Sequence, residues 1–204
     1  MGSQFTELTQ LEVDRDLASA QRYRSAITST VEQLNDKGGF SKFATVEDPL
    51  ADVALTLLVS LMYPEMAEKI ESGQLGVREA VSAITSSSNE FASLISACRS
   101  LEKQISDGQV TPEGHESRLR LAEQLEQRQY TVWRFRGGPY GQVMCQWMVN
   151  TVHYYGVMLQ LPGRKANLAL MKEEREETQR LIDEASAAVS DGGGRVSALQ
   201  VKSV

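Results

Sequence analysis

The 204-residue chain is poor in the residues that usually carry chemistry: it holds two cysteines and two histidines. Cys98 and Cys145 are too few and too far apart to read as a disulfide scaffold. They fit a reducing compartment such as the cytoplasm, with both thiols acting as small apolar side chains. His115 and His153 are the only histidines, which limits metal and acid–base sites. Cys145 and His153 sit on one expected helix eight residues apart, separated by roughly 12 Å of rise, and cannot form a nucleophile–base pair within it. There is no spaced Cys/His ligand set, no phosphate-binding Gly-rich loop after a strand and no nucleophile elbow. No metal or cofactor is implied, and nothing in the sequence supports an enzyme. Glu173, Glu174, Glu176 and Glu177 form an acidic run of the kind that usually marks a solvated helix face.

Other signals are missing too. The N-terminal MGSQFTELTQ has neither a basic region nor an apolar run, so no secretory signal is read there. It does match the loose N-myristoylation pattern through Gly2 and Thr6, which makes Gly2 a lipidation candidate. Met-Gly-Ser is equally what a cloning scar leaves, and a lone acyl chain anchors only marginally. A general excess of basic charge is also absent: the net charge is −6 and the pI about 5.1, against a surface that attracts nucleic acid or anionic lipid everywhere.

Charge itself disappears between Arg136 and Arg164. Within that gap Val143–Leu161 is rich in Met, Val and aromatics, yet Gln142, Gln146, Asn150, His153 and Gln160 fall at steps of four, four, three and seven. On a 3.6-residue helix these draw one narrow stripe of neutral polar groups. Such a stripe opposes a transmembrane reading, because no second span shelters it. A surface helix normally carries Lys and Glu on its wet side, so the five residues are interface candidates, covered either by the rest of the fold or by another subunit.

The hydrophobic fraction of 41% can supply a core, and the rest of the chain reads as helices. A first helix, about 6–37, starts near Thr6 or Thr9, with Glu12 closing a capping box, and ends at Gly38-Gly39. Its seam is Val13, Leu17, Ala20, Arg24, Ile27, Val31 and Leu34, with Arg24 snorkelling at the edge or specifying a partner. Phe40 and Phe43 follow as lids in a loop. Asp48-Pro49 caps a central apolar helix, and Pro64 stops or kinks it before a short helical piece to Ser72. From Val77 a seam holds its phase to Ile105 across the serines at 86–88, which favours one long helix over two. Thr111-Pro112-Glu113 opens a helix with Leu121, Leu125, Val132 and Phe135 inward and its charges outward. The opening stretch then ends before Pro162-Gly163, and a last helix, about 165–190, carries Leu168, Met171, Arg175, Thr178, Ile182, Ala185 and Val189. Residues 191–204 read as a Gly-rich linker and tail. The fold class expected is all-α, an elongated bundle of about six or seven helices forming a single domain over 1–190, the central helices covering about 49–161.

One segment has a distinctive composition: Trp133, Arg134, Phe135, Arg136 and Tyr140 surround a Gly-Gly-Pro turn. Arginines on phosphates with rings stacked on bases would hold a single-stranded nucleic acid. The alternative is a helix end whose rings pack inward under the guanidiniums. The functional expectation is a non-enzymatic helical protein that self-associates into a larger particle or machine, for example a viral coat or secretion-apparatus subunit. The partner expected is thus another copy of itself, and after that another helical protein; a nucleocapsid-type protein or an adaptor binding a partner helix are the alternatives.

Overall fold

A computed structural model describes the backbone of residues 2–86, 88–108, 114–128 and 138–201, and the side chains of these except 2, 3, 88 and 191–201. Among the described residues the chain is all helix. α1 is Gly2–Val31, followed by a 3-10 turn at Glu32–Leu34; then come α2 (Lys37–Ala44), α3 (Pro49–Met62), α4 (Pro64–Glu71), α5 (Val77–Thr85), α6 (Ser88–Ser106), α7 (His115–Gln127) and α8 (Gly138–Val201). Among the described residues no helix is long and apolar enough to cross a membrane. The chain divides into two units, one of residues 16–160 and one of residues 1–15 with 161–204.

The larger unit is organised on α3. Asp48 caps it, its Oδ1 accepting from the Leu50 amide at 2.8 Å, and Pro49 occupies the first turn. With Ala51, Ala54, Leu55, Leu57, Leu58 and Val59 all within 1% of full burial, α3 is apolar around nearly its whole circumference. It therefore packs on α2, α4, α5, α6 and α7 at once. Trp147, Met144 and Met148 of α8 and Phe40 and Phe43 of α2 complete the core.

Several boundaries differ from the sequence reading. Thr9 is not an N-cap, because α1 is already helical from Gly2, and its hydroxyl instead lies 2.9 Å from the Phe5 carbonyl. Gly38 and Gly39 lie inside α2 rather than ending α1, and Phe40 and Phe43 are fully enclosed helix residues rather than loop lids. Gly39 is needed by its surroundings: a Cβ there would come within 2.7 Å of the Tyr140 ring. The Val77–Ile105 seam is carried by two helices, not one. Its members Ala80, Ile84, Phe91, Leu94, Cys98 and Ile105 are buried as expected. At the junction, however, Ser86 bonds back to the Ala83 carbonyl and across to Glu90 at 2.6 Å, the local competition that makes serine a poor helix interior.

Pro162-Gly163 does not end a helix. α8 runs through Pro162, which is solvent-exposed; a proline removes one intrahelical hydrogen bond without abolishing those on either side. The boundary between the two units nevertheless falls at Gln160/Leu161, beside it. The backbone of α8 also continues through the expected linker at 191–194 to Val201.

In the smaller unit, Thr6 and Val13 of α1 and Leu161 and Leu168 of α8 are buried. Thr9 Oγ1 lies 3.5 Å from the Met171 sulfur, and Lys172 Nζ donates to Gln10 at 2.9 Å. Phe5 and Thr6 line a groove with Met171, Thr178 and Ile182. Falling numbers on α1 thus meet rising numbers on α8, so the two segments run antiparallel.

Candidate interaction surfaces

The apolar face of α8 is set by spacing. Met144, Cys145, Met148, Val152 and Tyr155 turn into the core with Trp147, Thr151 and Tyr154, and the amides and His153 are left on the other side. That polar stripe is unevenly covered. Gln146 and Gln160 are exposed, whereas Gln142, Asn150 and His153 are half-buried. Asn150 donates to the Gln146 carbonyl at 2.8 Å. The His153 ring stacks on Tyr23 of α1, centroids 5.5 Å apart, and its Nε2 lies 3.2 Å from both carboxylate oxygens of Glu126 on α7. His153 is therefore covered within the chain, by Tyr23 of α1 and Glu126 of α7.

The seam of α1 splits in the same way. Val13, Ala20, Ile27, Val31 and Leu34 are buried, but Leu17 is 42% exposed, and Arg24 reaches out to an ion pair with Glu102. The snorkelling reading of Arg24 describes this arrangement. Exposed apolar groups gather in the smaller unit: Phe5, Leu8 and Leu11 on α1, and Leu170, Leu181, Ile182 and Val189 on α8. At 100° per residue Phe5, Leu8 and Leu11 lie opposite Thr6 and Val13, so this part of α1 is apolar on two sides. Ile182 and Val189 prolong the stripe on which Leu161 and Leu168 are buried. Every described side chain from Lys172 to Ser190 is exposed.

Trp133, Arg134, Phe135 and Arg136 lie outside the described residues, as do Thr111, Pro112, Glu113 and Val132; of the lipidation candidate Gly2 only the helical backbone is described. Tyr140, the remaining member of the basic aromatic segment, is committed to the fold. Its hydroxyl donates to the Leu34 carbonyl at 2.8 Å and its ring stands edge-on to Phe40, and burial pushes its phenol well above the ordinary range.

The structure also uses residues that spacing did not single out. Arg78 ties the 44–48 segment to α3: its guanidinium bonds to the Ala44 and Val46 carbonyls and to the Asp52 carboxylate. Arg118, expected among the outward charges of its helix, is only 8% exposed. Its place beside Leu121, Ala122 and Leu125 on a helical wheel was the available signal, and its charge masked it. Burial raises both cysteine thiols to about 12, so neither is poised as a nucleophile. Among the described residues no group of three His, Cys, Asp or Glu side chains is placed to hold a metal ion. No family model matches the chain, and neither a curated protein nor a solved structure matches it.

Proposed function

We propose that this chain is a non-enzymatic, self-associating helical protein, a subunit of a larger assembly, and that the smaller unit carries the contact between copies. The observation that supports this reading is the set of seven large apolar side chains left exposed among the described residues of that unit, Phe5, Leu8, Leu11, Leu170, Leu181, Ile182 and Val189. At roughly 100 Å² each they offer about 700 Å², near the ~800 Å² per partner of a stable interface. A helical segment with all its side chains in water gains nothing from packing, and most helical stability in proteins comes from packing. A second copy would supply it.

Sedimentation velocity on the full chain at tens of micromolar tests the reading. An oligomer is expected, and Leu181→Glu with Ile182→Lys should return it to monomer with the helical circular dichroism retained. A wild-type monomer at that concentration sinks the proposal and favours an adaptor whose exposed faces receive another protein. The stripe on α8 is tested separately by Gln146→Lys and Asn150→Glu. If either blocks assembly, the contact extends to that stripe. If neither does, it is confined to the smaller unit.

A further inference from the structure

Arg118 is buried, and among the described residues it has no counter-ion. Its Nε lies 3.2 Å from Ser60 Oγ, its Nη2 donates to the Ser60 carbonyl at 2.9 Å, and its Cζ sits 5.4 Å above the Tyr155 ring. Among the described residues no carboxylate comes within ion-pair distance of it. A guanidinium can donate five hydrogen bonds, so two to a serine leave it under-used, and an uncompensated buried charge is costly.

The guanidinium is not sealed in. It forms one wall of a cleft of about 190 Å³ between α3, α4 and α7. Gly114, the N-cap of α7, borders the same cleft; it is left-handed, with φ of 76°, and has no side chain to cap the helix. The first-turn amides of α7 therefore add positive potential beside Arg118. Pro64 and Ala67 supply an apolar side, and Glu68 and Glu71 stand on the α4 side, where Ser117 donates to Glu71 at 2.9 Å and holds it in place.

This combination selects among anions. A dianion such as phosphate would be attracted by Arg118 and repelled by two carboxylates on the facing wall. A group carrying both charges side by side satisfies both walls. At about 190 Å³ the cleft holds a solute the size of glycine or alanine. We propose that this cleft binds a small zwitterionic α-amino acid, its carboxylate on the Arg118 guanidinium and the α7 amides, its ammonium toward Glu68 and Glu71.

The test is titration of the full chain with L-alanine, acetate, methylamine and inorganic phosphate, followed by NMR. L-alanine should shift the resonances of the Ser60, Gly114 and Arg118 amides, with acetate and methylamine weaker by about tenfold each, the loss of one charge-assisted contact. Saturating L-alanine should also raise the pH at which the His115 imidazole titrates. Arg118 helps depress that value, and a docked carboxylate offsets it. Glu68→Gln, a change at an exposed position, should weaken L-alanine about tenfold while leaving the melting temperature unchanged. Phosphate or acetate binding as well as L-alanine, an unaltered affinity in Glu68→Gln, or no binding at 100 mM would each overturn the proposal.

Discussion

Gly156 on α8 and His115 at the start of α7 provide a sharp check on the packing described here. A Cβ added to Gly156 would lie 3.0 Å from His115 Nε2 and 3.4 Å from Cε1, and the ring cannot simply retreat, because it is stacked on Tyr155 with centroids 5.4 Å apart and planes 8° apart. Two effects of similar size therefore oppose each other in Gly156→Ala. Replacing glycine by alanine inside a helix is worth about 1 kcal/mol. Displacing the imidazole by a few tenths of an ångström and disturbing an aromatic stack worth ~0.5–1.5 kcal/mol removes most or all of that gain. Gly156→Ala alone should then change stability by less than about 0.5 kcal/mol or lower it, whereas in a His115→Ala background the same substitution should stabilise by about 1 kcal/mol. Urea unfolding of the four proteins, read as midpoints at constant m-value, closes the cycle. Additive effects, with Gly156→Ala stabilising fully in the presence of His115, would refute the contact and the α7–α8 packing that produces it.

Burial, Arg118 and His153 together lower the His115 pKa from its ordinary 6.5, so as pH falls the unfolded chain takes up that proton before the folded one. The stability linked to neutral His115 is complete above about pH 6.5 and is lost as pH drops through the folded value. Denaturant midpoints at pH 7.5 and 5 should differ by less in His115→Gln than in wild type, and an equal difference in the two would count against the assignment. Both thiols, raised to about 12 by burial, should resist iodoacetamide in the native protein at pH 8 and take two adducts in denaturant by intact mass. Rapid native alkylation of either would contradict its burial. Arg78→Met should lower stability by about 2 kcal/mol through the lost bonds to Ala44, Val46 and Asp52. Arg78→Lys should recover less than half of this in the same assay, since an ammonium cannot span the three acceptors as a planar fork does.

Much of the helical framework was legible in the sequence because its signals are local. Asp48-Pro49 and Pro64 start and stop helices through a side-chain cap and a missing amide, and both act as expected. Periodicity placed Ala80, Ile84, Phe91, Leu94, Cys98 and Ile105 on one buried face. It could not say that the backbone parts company at Ser86, because a seam keeps its phase whether or not the helix is continuous. Gly38-Gly39 misled for a related reason: glycine normally ends helices, but here it is small enough to let Tyr140 approach.

The candidate sites show the division most clearly. Spacing alone picked out Gln142, Gln146, Asn150, His153 and Gln160 as an uncharged stripe, since a 3.6-residue repeat fixes which side chains share a face. Whether that face is covered depends on what lies across from it, and only the tertiary structure supplies Tyr23 and Glu126 against His153 while leaving Gln146 open. Arg118 is the reverse case. A charge on a helix reads as solvent-facing, and its burial was decided by Ser60 and Tyr155, residues 58 positions before it in the chain and on α8 after it. The sequence by itself determined that this protein is helical, where most of its apolar faces lie and that it lacks a local catalytic motif. The tertiary structure decided which of those faces are used up inside one chain and which remain exposed, because burial is a property of contacts between segments that are distant in sequence.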